Sequence, residues 1–352
     1  MKLINTVDAE GTVLCHDITQ IIKGVTKDAV FRKGHVVTKE DIPVLLSVGK
    51  DQLYVWEREE GMLHEDEAAD ILRELCQGTN MTASLPKEGK IELTATCDGL
   101  LKINRRGLKI VNNMGQMMIA ARHGDSPVKK GDKLAGTRVI PLLIEAEKMA
   151  AAGAAVRAVT GGRPLLELKP FLHKKVGVIT TGNEVYYGRI KDTFTPVIAE
   201  KLQEYGSEVT DHAVWYDDDT KVTASILEMI AKGAEVIICT GGMSVDPDDK
   251  TPLAIKNTGA RIVSYGAPVL PGAMFLLAYY EAGTGTESRT VPVMGLPGCV
   301  MYAGRTIFDL VLPRVMADDP VTGEELAALG EGGLCLNCPE CTFPNCGFGK
   351  GN

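Results

Sequence analysis

No run of apolar residues in this chain comes near the ~20 that a membrane-spanning helix requires. The most apolar stretches are Val236–Cys239, Phe275–Ala278 and Val291–Met294. The opening MKLINTVDAEG is interrupted by polar and charged groups too often for the apolar region of a secretory signal. Positive charge is also short. Lys and Arg number 38 against 46 Asp and Glu, a net charge of -8, so a nucleic-acid backbone, which is held by clustered Lys and Arg, is not an expected partner. None of the six histidines, His16, His35, His64, His123, His173 and His212, stands in a metal-ligand spacing or beside a candidate nucleophile. They are expected to be structural or on the surface. These absences point to a cytoplasmic protein with no membrane or nucleic-acid partner.

What is present is a globular composition, 45% hydrophobic and 24% charged, in a chain long enough for two or three units. Residues 1–163 form a smaller α+β region, as one unit or two small ones, in this reading. Its short apolar runs, the last of the first group being Gln52 to Trp56, are punctuated by Gly24, Gly34 and Gly49, with a helix at Glu40 to Ser47. Apolar Ala68, Ile71, Leu72 and Leu75 recur at helical spacing over Glu65 to Cys76. An Ala-rich helix over Glu145 to Ala158 ends at the breaker Gly161-Gly162-Arg163-Pro164. From 168 to 316 the pattern is strand (Lys175 to Thr181), helix from Thr195, strand (Glu208 to Trp215), helix (Asp219 to Lys232), strand (Glu235 to Thr240). That order, with strands apolar at every position, predicts an α/β fold whose mostly parallel sheet is covered by helices on both faces. Two further apolar runs precede a helix expected from Gly298 to Met316, followed by a polar linker over 317–334 and a cysteine-rich tail over 335–352.

Ligands of such sheets bind at the carboxyl ends of the strands, and three strand-end loops carry suitable groups. Thr180-Thr181-Gly182-Asn183-Glu184 offers a tight turn and a carboxylate. Thr240-Gly241-Gly242-Met243-Ser244-Val245-Asp246-Pro247-Asp248-Asp249 offers freed backbone N–H groups, a hydroxyl and carboxylates, which suit a phosphate with a hard cation such as Mg²⁺ between. Met294-Gly295-Leu296-Pro297-Gly298-Cys299 runs from a strand into a helix whose N-terminus attracts anions, and a related turn, Leu270-Pro271-Gly272-Ala273, lies upstream. Read singly, each is also an ordinary turn.

Taken in order, TTGNE, TGGMSVDPDD, LPG-A and GLPG resemble the molybdopterin-binding domain of molybdenum cofactor biosynthesis proteins, over about residues 168–316. That family includes the enzyme that adenylylates molybdopterin and the molybdopterin molybdenumtransferase that inserts molybdate. The resemblance implies a transferase acting on molybdopterin or its adenylylated form, and a homodimer. It implies Glu184 and Asp249 as catalytic, Mg²⁺-holding carboxylates, and Thr181, Gly182, Gly241, Gly242, Ser244, Gly272 and Gly298 as cofactor-binding positions. Molybdate, molybdoenzymes and other cofactor-biosynthesis proteins are the implied partners. GTVLCHDIT, FRKGHVV and VKKGDKLAGTRVIPL extend the likeness to the front of uncharacterised molybdopterin-binding proteins.

Three positions depart from the transferase pattern. Asp246 stands where a glycine is usual, Ala273 where a lysine follows the Pro-Gly turn, and Cys299-Val300 where Asn-Pro is usual. A fixed cation is the best holder of an anion, so Lys250, or Lys102, Arg105, Arg106 and Lys109, would have to substitute. A non-catalytic molybdopterin carrier or sensor is the alternative. Of nine cysteines, Cys15, Cys76, Cys97, Cys239 and Cys299 are scattered, whereas Cys335, Cys338, Cys341 and Cys346 follow C-x2-C-x2-C-x4-C. That spacing is expected to bind metal, as an iron–sulfur cluster or zinc, in place of the small β domain that ends a transferase.

Overall fold

The computed structural model describes residues 2–22, 26–55, 60–243, 249–283, 285 and 288–351. Gly24 and Trp56, read above as a turn and a strand end, lie outside the described residues. The chain divides into two compact units, one made of 1–96, 103–122 and 130–167, the other of 97–102, 123–129 and 168–352. The division is not linear along the chain. In the second unit Ser126–Val128 pairs antiparallel with Gly99 to Leu101, so two stretches of the expected N-terminal region are grouped with the α/β unit.

In the first unit, strands Met81–Ala83, Lys90–Ala95, Lys133–Val139 and Met117–Ala121 form an antiparallel sheet in that order. The helix Glu65–Cys76 has the bounds its periodicity predicts and buries Ala68, Leu72 and Leu75. It starts where it does because His64 caps it: the imidazole accepts from the Asp66 N–H at 3.2 Å, and the Glu67 carboxylate accepts from the His64 N–H at 2.9 Å. The Ala-rich helix runs Ala146–Thr160 and stops at Gly161, whose φ of 63° is the left-handed C-terminal cap that glycine adopts without strain. A small separate core of Ala9, Leu14, Ile18, Val37, Leu45 and Leu53 holds the first residues together.

The second unit is built on six strands: β1 (Lys175–Thr181), β2 (Glu208–Trp215), β3 (Val236–Thr240), β4 (Arg261–Tyr265), β5 (Leu276–Ala282) and β6 (Arg289–Leu296). Their order is β2-β1-β3-β6-β5-β4. β2, β1, β3 and β6 run parallel, and β5 pairs antiparallel with both β6 and β4. The helices are α1 (Asn183–Tyr186), α2 (Phe194–Gln203), α3 (Asp219–Ala231), α4 (Thr251–Asn257), α5 (Ile307–Met316) and α6 (Gly323–Ala328).

Alternation along β3 explains the three layers. Val236 and Ile238 face a core that includes Ile198 and Leu202 of α2 and Phe308, Val311 and Leu312 of α5. Ile237 and Cys239 face a second core with Val222, Ile226 and Ile230 of α3 and Ala254 and Ile255 of α4. All four strand residues are fully buried, which is why the run is apolar at every position. Emptying one of them, as Ile237→Ala would, costs about 2–5 kcal/mol. The α/β class with a mostly parallel sheet is therefore the observed fold.

Three features differ from expectation. β4 carried no sequence signal, because an edge strand whose residues stay half-exposed shows neither a buried run nor a clean alternation. The helix expected from Gly298 to Met316 is two pieces, a 3-10 turn over Gly298–Met301 and α5 from Ile307. The break falls at Thr306, which caps α5 by accepting from Phe308 N–H while Asp309 accepts from Thr306 N–H at 2.7 Å. The stretch read as a linker holds α6, capped by Thr322, and buries Val321 and Leu326 in the core. Asp319 within it is bound by Arg314 Nε at 2.6 Å, Lys102 Nζ at 2.8 Å and Lys169 Nζ at 2.9 Å. The tail beyond is anchored as well: Leu270 N–H donates to Gly333 O and Cys335 N–H to Leu270 O, both at 2.8 Å, and Phe348 enters the core.

Candidate functional site

Register places three of the suspected loops side by side. Thr180 of β1 faces Thr240 of β3, and Thr240 faces Leu296 of β6, so the chain leaves β1, β3 and β6 at one edge of the sheet. Residues beginning at 182, 241 and 297 follow there. The turn at Gly272 precedes β5, which enters the sheet from this edge because Leu276 pairs with Gly295.

At this edge Thr181, Gly241 and Thr251 interlock. The Thr181 hydroxyl is 3.2 Å from the Thr240 carbonyl and 3.2 Å from the Thr251 hydroxyl, and Thr251 donates to Gly241 O at 2.9 Å. Both threonines are buried. Gly241 has φ +80°, and a Cβ there would stand 2.0 Å from the Thr181 carbonyl oxygen; only glycine allows that approach. Gly242, at φ +53°, lies against the same threonines. Thr181, Gly241 and Gly242 are thus brought together. Ser244 lies outside the described residues.

The other suspected positions divide. Gly182, with φ +142°, has the Glu184 carboxylate folded over it: a Cβ would be 2.8 Å from Glu184 Oε1. Glu184 itself is exposed in α1. Asp249 is half-buried where the glycine loop re-enters α4, and its negative charge, after burial, is what pushes the Tyr265 phenol up. Gly272 is wedged against α5, where a Cβ would meet Ile307 Cγ2 at 2.4 Å. Gly298 is exposed with open space around it. The helix dipole expected behind Gly298 is corrected by the structure, since a four-residue 3-10 turn supplies little of one. Lys102, suggested as a substitute cation, is engaged by Asp125 and Asp319. Ala273 is exposed and brings no charge.

Sequence reasoning missed a second polar group at the same edge. Asp192 accepts from the Thr195 hydroxyl at 2.6 Å, from the Thr180 hydroxyl at 3.0 Å and from Phe194 N–H at 2.8 Å. His212 Nε2 stands 3.2 Å from Asp192 and 3.0 Å from the Thr195 hydroxyl. Burial raises the Asp192 carboxyl, but the hydrogen bonds from Thr195, Phe194 and Thr180 outweigh it and hold the group below its usual range. Beside these lies an aromatic group. Trp215 faces Thr181 in register, Tyr186 stacks at 16° to Trp215 with centroids 6.4 Å apart, and Tyr216 lies 5.1 Å from Tyr186. Tyr186 and Tyr187 are 41% and 61% exposed, and Arg189 lies over the Tyr187 ring at 5.4 Å.

Among the described residues, no three His, Cys, Asp or Glu side chains converge as a ready-made site for one metal ion. Cys335 and Cys346 are half-buried against the core, Cys338 and Cys341 are exposed, and all four are free thiols. No helix among the described residues is long and apolar enough to cross a membrane.

Comparison with known proteins bears on the α/β unit as a whole. The family model "Probable molybdopterin binding domain" matches residues 177–317, and a domain of unknown function (DUF8806) matches residues 3–57. The molybdopterin adenylyltransferase of Pyrococcus furiosus is 30% identical over 138 residues, 36% of this chain and 78% of that protein. The molybdopterin molybdenumtransferase of Synechococcus elongatus is 27% identical over 185 residues, 50% of this chain and 44% of that protein, so this chain spans less than half of it. Among solved structures, the tungsten cofactor synthesizing protein MoaB of Pyrococcus furiosus is 26% identical, covering 36% of this chain and 84% of that one at a TM-score of 0.31. The chain belongs to the molybdopterin-binding domain family of molybdenum cofactor biosynthesis.

Proposed function

We propose that this protein binds molybdopterin, free or adenylylated, at the edge where β1, β3 and β6 end, and inserts molybdate there. One observation carries the reading: the Thr181, Gly241 and Thr251 constellation holds the backbone of the glycine loop at the strand ends. N–H groups presented by such a loop suit a phosphate. The partly exposed rings of Tyr186 and Tyr187 beside it suit contact with a flat heteroaromatic ring.

Glu184 and Asp249 are the carboxylates proposed to hold Mg²⁺. Mg²⁺ is bound through one or two carboxylates plus substrate phosphates, so the pair fits in donor chemistry without a third protein ligand. The ion would supply neutralisation of phosphate charge. Molybdate as second substrate, molybdoenzymes or other cofactor-biosynthesis proteins as recipients, a homodimer and a cytoplasmic location belong to the same proposal.

A second reading rests on Ala273 and Cys299-Val300, where the resemblance leads one to expect a lysine and Asn-Pro. With no cation at Ala273, a carrier or sensor that binds without turnover is the alternative. The test is anaerobic incubation of the full chain with adenylylated molybdopterin, Mg²⁺ and molybdate. Release of AMP with formation of the molybdenum-loaded pterin is expected. Tight binding without AMP release selects the carrier, and absence of binding overturns both.

A further inference from the structure

Four cysteines in twelve residues can surround one cationic centre, whose charge the ligating thiolates share. The fold sets them around one space, although no three of them converge on a single point as they stand. Cys335, Cys338, Cys341 and Cys346 all line a single cavity of about 400 Å³, whose walls include Leu336, Phe343 and Arg305. The two ends of the segment are fixed: Cys335 by its hydrogen bond to Leu270 O, and Cys346 by packing against the core two residues before buried Phe348. Gly349 N–H donates to Gly332 O at 3.0 Å and closes the loop between them. Cys338 and Cys341, between these anchors, are exposed and in no regular element. Arg305 lies over the Phe343 ring at 4.9 Å, with its guanidinium paired to Asp309 and Glu204.

We propose that these four cysteines hold an iron–sulfur cluster of the [4Fe–4S] class. The cavity is a body-sized space, not a point, and its lining is largely apolar, which suits a cluster better than a lone Zn²⁺. The spacing agrees: C-x2-C-x2-C is the run that supplies three corners of such a cluster, whereas a Cys₄ zinc site commonly uses two separated knuckles. This goes beyond the molybdopterin reading and does not depend on it.

The test uses the full chain, reconstituted without oxygen with a ferric salt, sulfide and excess thiol reductant. A broad visible absorption is expected, with iron and sulfide bound in equal amounts, about four of each per chain. The double variant Cys338→Ser, Cys341→Ser removes only exposed side chains and is expected to lose the absorption and the iron while keeping its thermal transition. A second variant, Cys97→Ser, leaves the cavity intact and is expected to bind as the wild type does. Equal iron and sulfide in the double variant overturns the proposal. So does uptake of Zn²⁺ with no uptake of iron and sulfide. Pterin titration of the same samples reads the other proposal separately, because the double variant is expected to bind pterin normally.

Discussion

The hydroxyls of Thr181 and Thr251 lie 3.2 Å apart although 70 positions separate them in the chain. This contact ties the end of β1 to the start of α4, and the glycine loop is held between them through Thr251 and Gly241 O. The strand-end loop and the fold therefore share the same bonds.

Gly241→Ala is expected to damage both. Its Cβ would stand 2.0 Å from the Thr181 carbonyl at a φ of +80°, and a left-handed non-glycine residue alone costs about 1–3 kcal/mol. Urea unfolding should show a loss of at least that size, with pterin affinity falling further than stability does. A variant as stable as the wild type would show that the loop is not held as described.

Asp319→Asn is expected to destabilise the α/β unit by about 3 kcal/mol, since it leaves Arg314, Lys102 and Lys169 partly unpaired in a buried place. Burial raises the Asp319 carboxyl, but the hydrogen bonds of Lys102 and Lys169 and the charge of Arg314 outweigh it and hold it at about 2. A folded-state value below the unfolded 3.8 means that the contribution is complete above pH 3.8 and is lost as pH falls toward 2. Unfolding curves of the two proteins should differ at pH 7 and draw together across that window. A difference that stays constant with pH would place the effect elsewhere.

Glu65 shows the opposite sign. Burial, and then the charge of Asp66, raise its carboxyl from 4.5 to about 7. The folded state disfavours the charged form, so stability is unaffected below pH 4.5 and declines as pH rises from 4.5 to 7. Glu65→Gln should match the wild type near pH 4 and melt at a higher temperature at pH 8. A lower melting temperature at pH 8 would mean that the carboxylate has a stabilising partner.

The parallel sheet was legible because its central strands are apolar throughout, and β1 and β2 have the bounds that the residue pattern predicts. The Gly241-Gly242 pair was legible as a tight strand-end turn, and both glycines take the positive φ such a turn requires. What was hidden depends on distant partners. Asp192 and His212 meet Thr180 only through the β1 and β2 pairing, and neither has a local spacing to betray it. Thr251 opens α4, and its second role exists only once Thr181 is beside it. The supposed linker failed for a related reason. Val321 and Leu326 are too few and too widely spaced to suggest burial, yet the ion pairs of Asp319 bring that stretch onto the core.

The central claim is that molybdopterin binds at the edge formed by Thr181, Gly241 and Thr251. Equilibrium titration of the full chain with molybdopterin under anaerobic conditions, alongside the Thr251→Val variant, tests it most directly. Val keeps the shape of Thr251 and removes the hydroxyl that donates to Gly241 O. The account predicts saturable binding by the wild type and an affinity at least about tenfold weaker in the variant, the equivalent of one lost hydrogen bond of ~1.4 kcal/mol. Equal affinity in two folded proteins, or no saturable binding by the wild type, would contradict it.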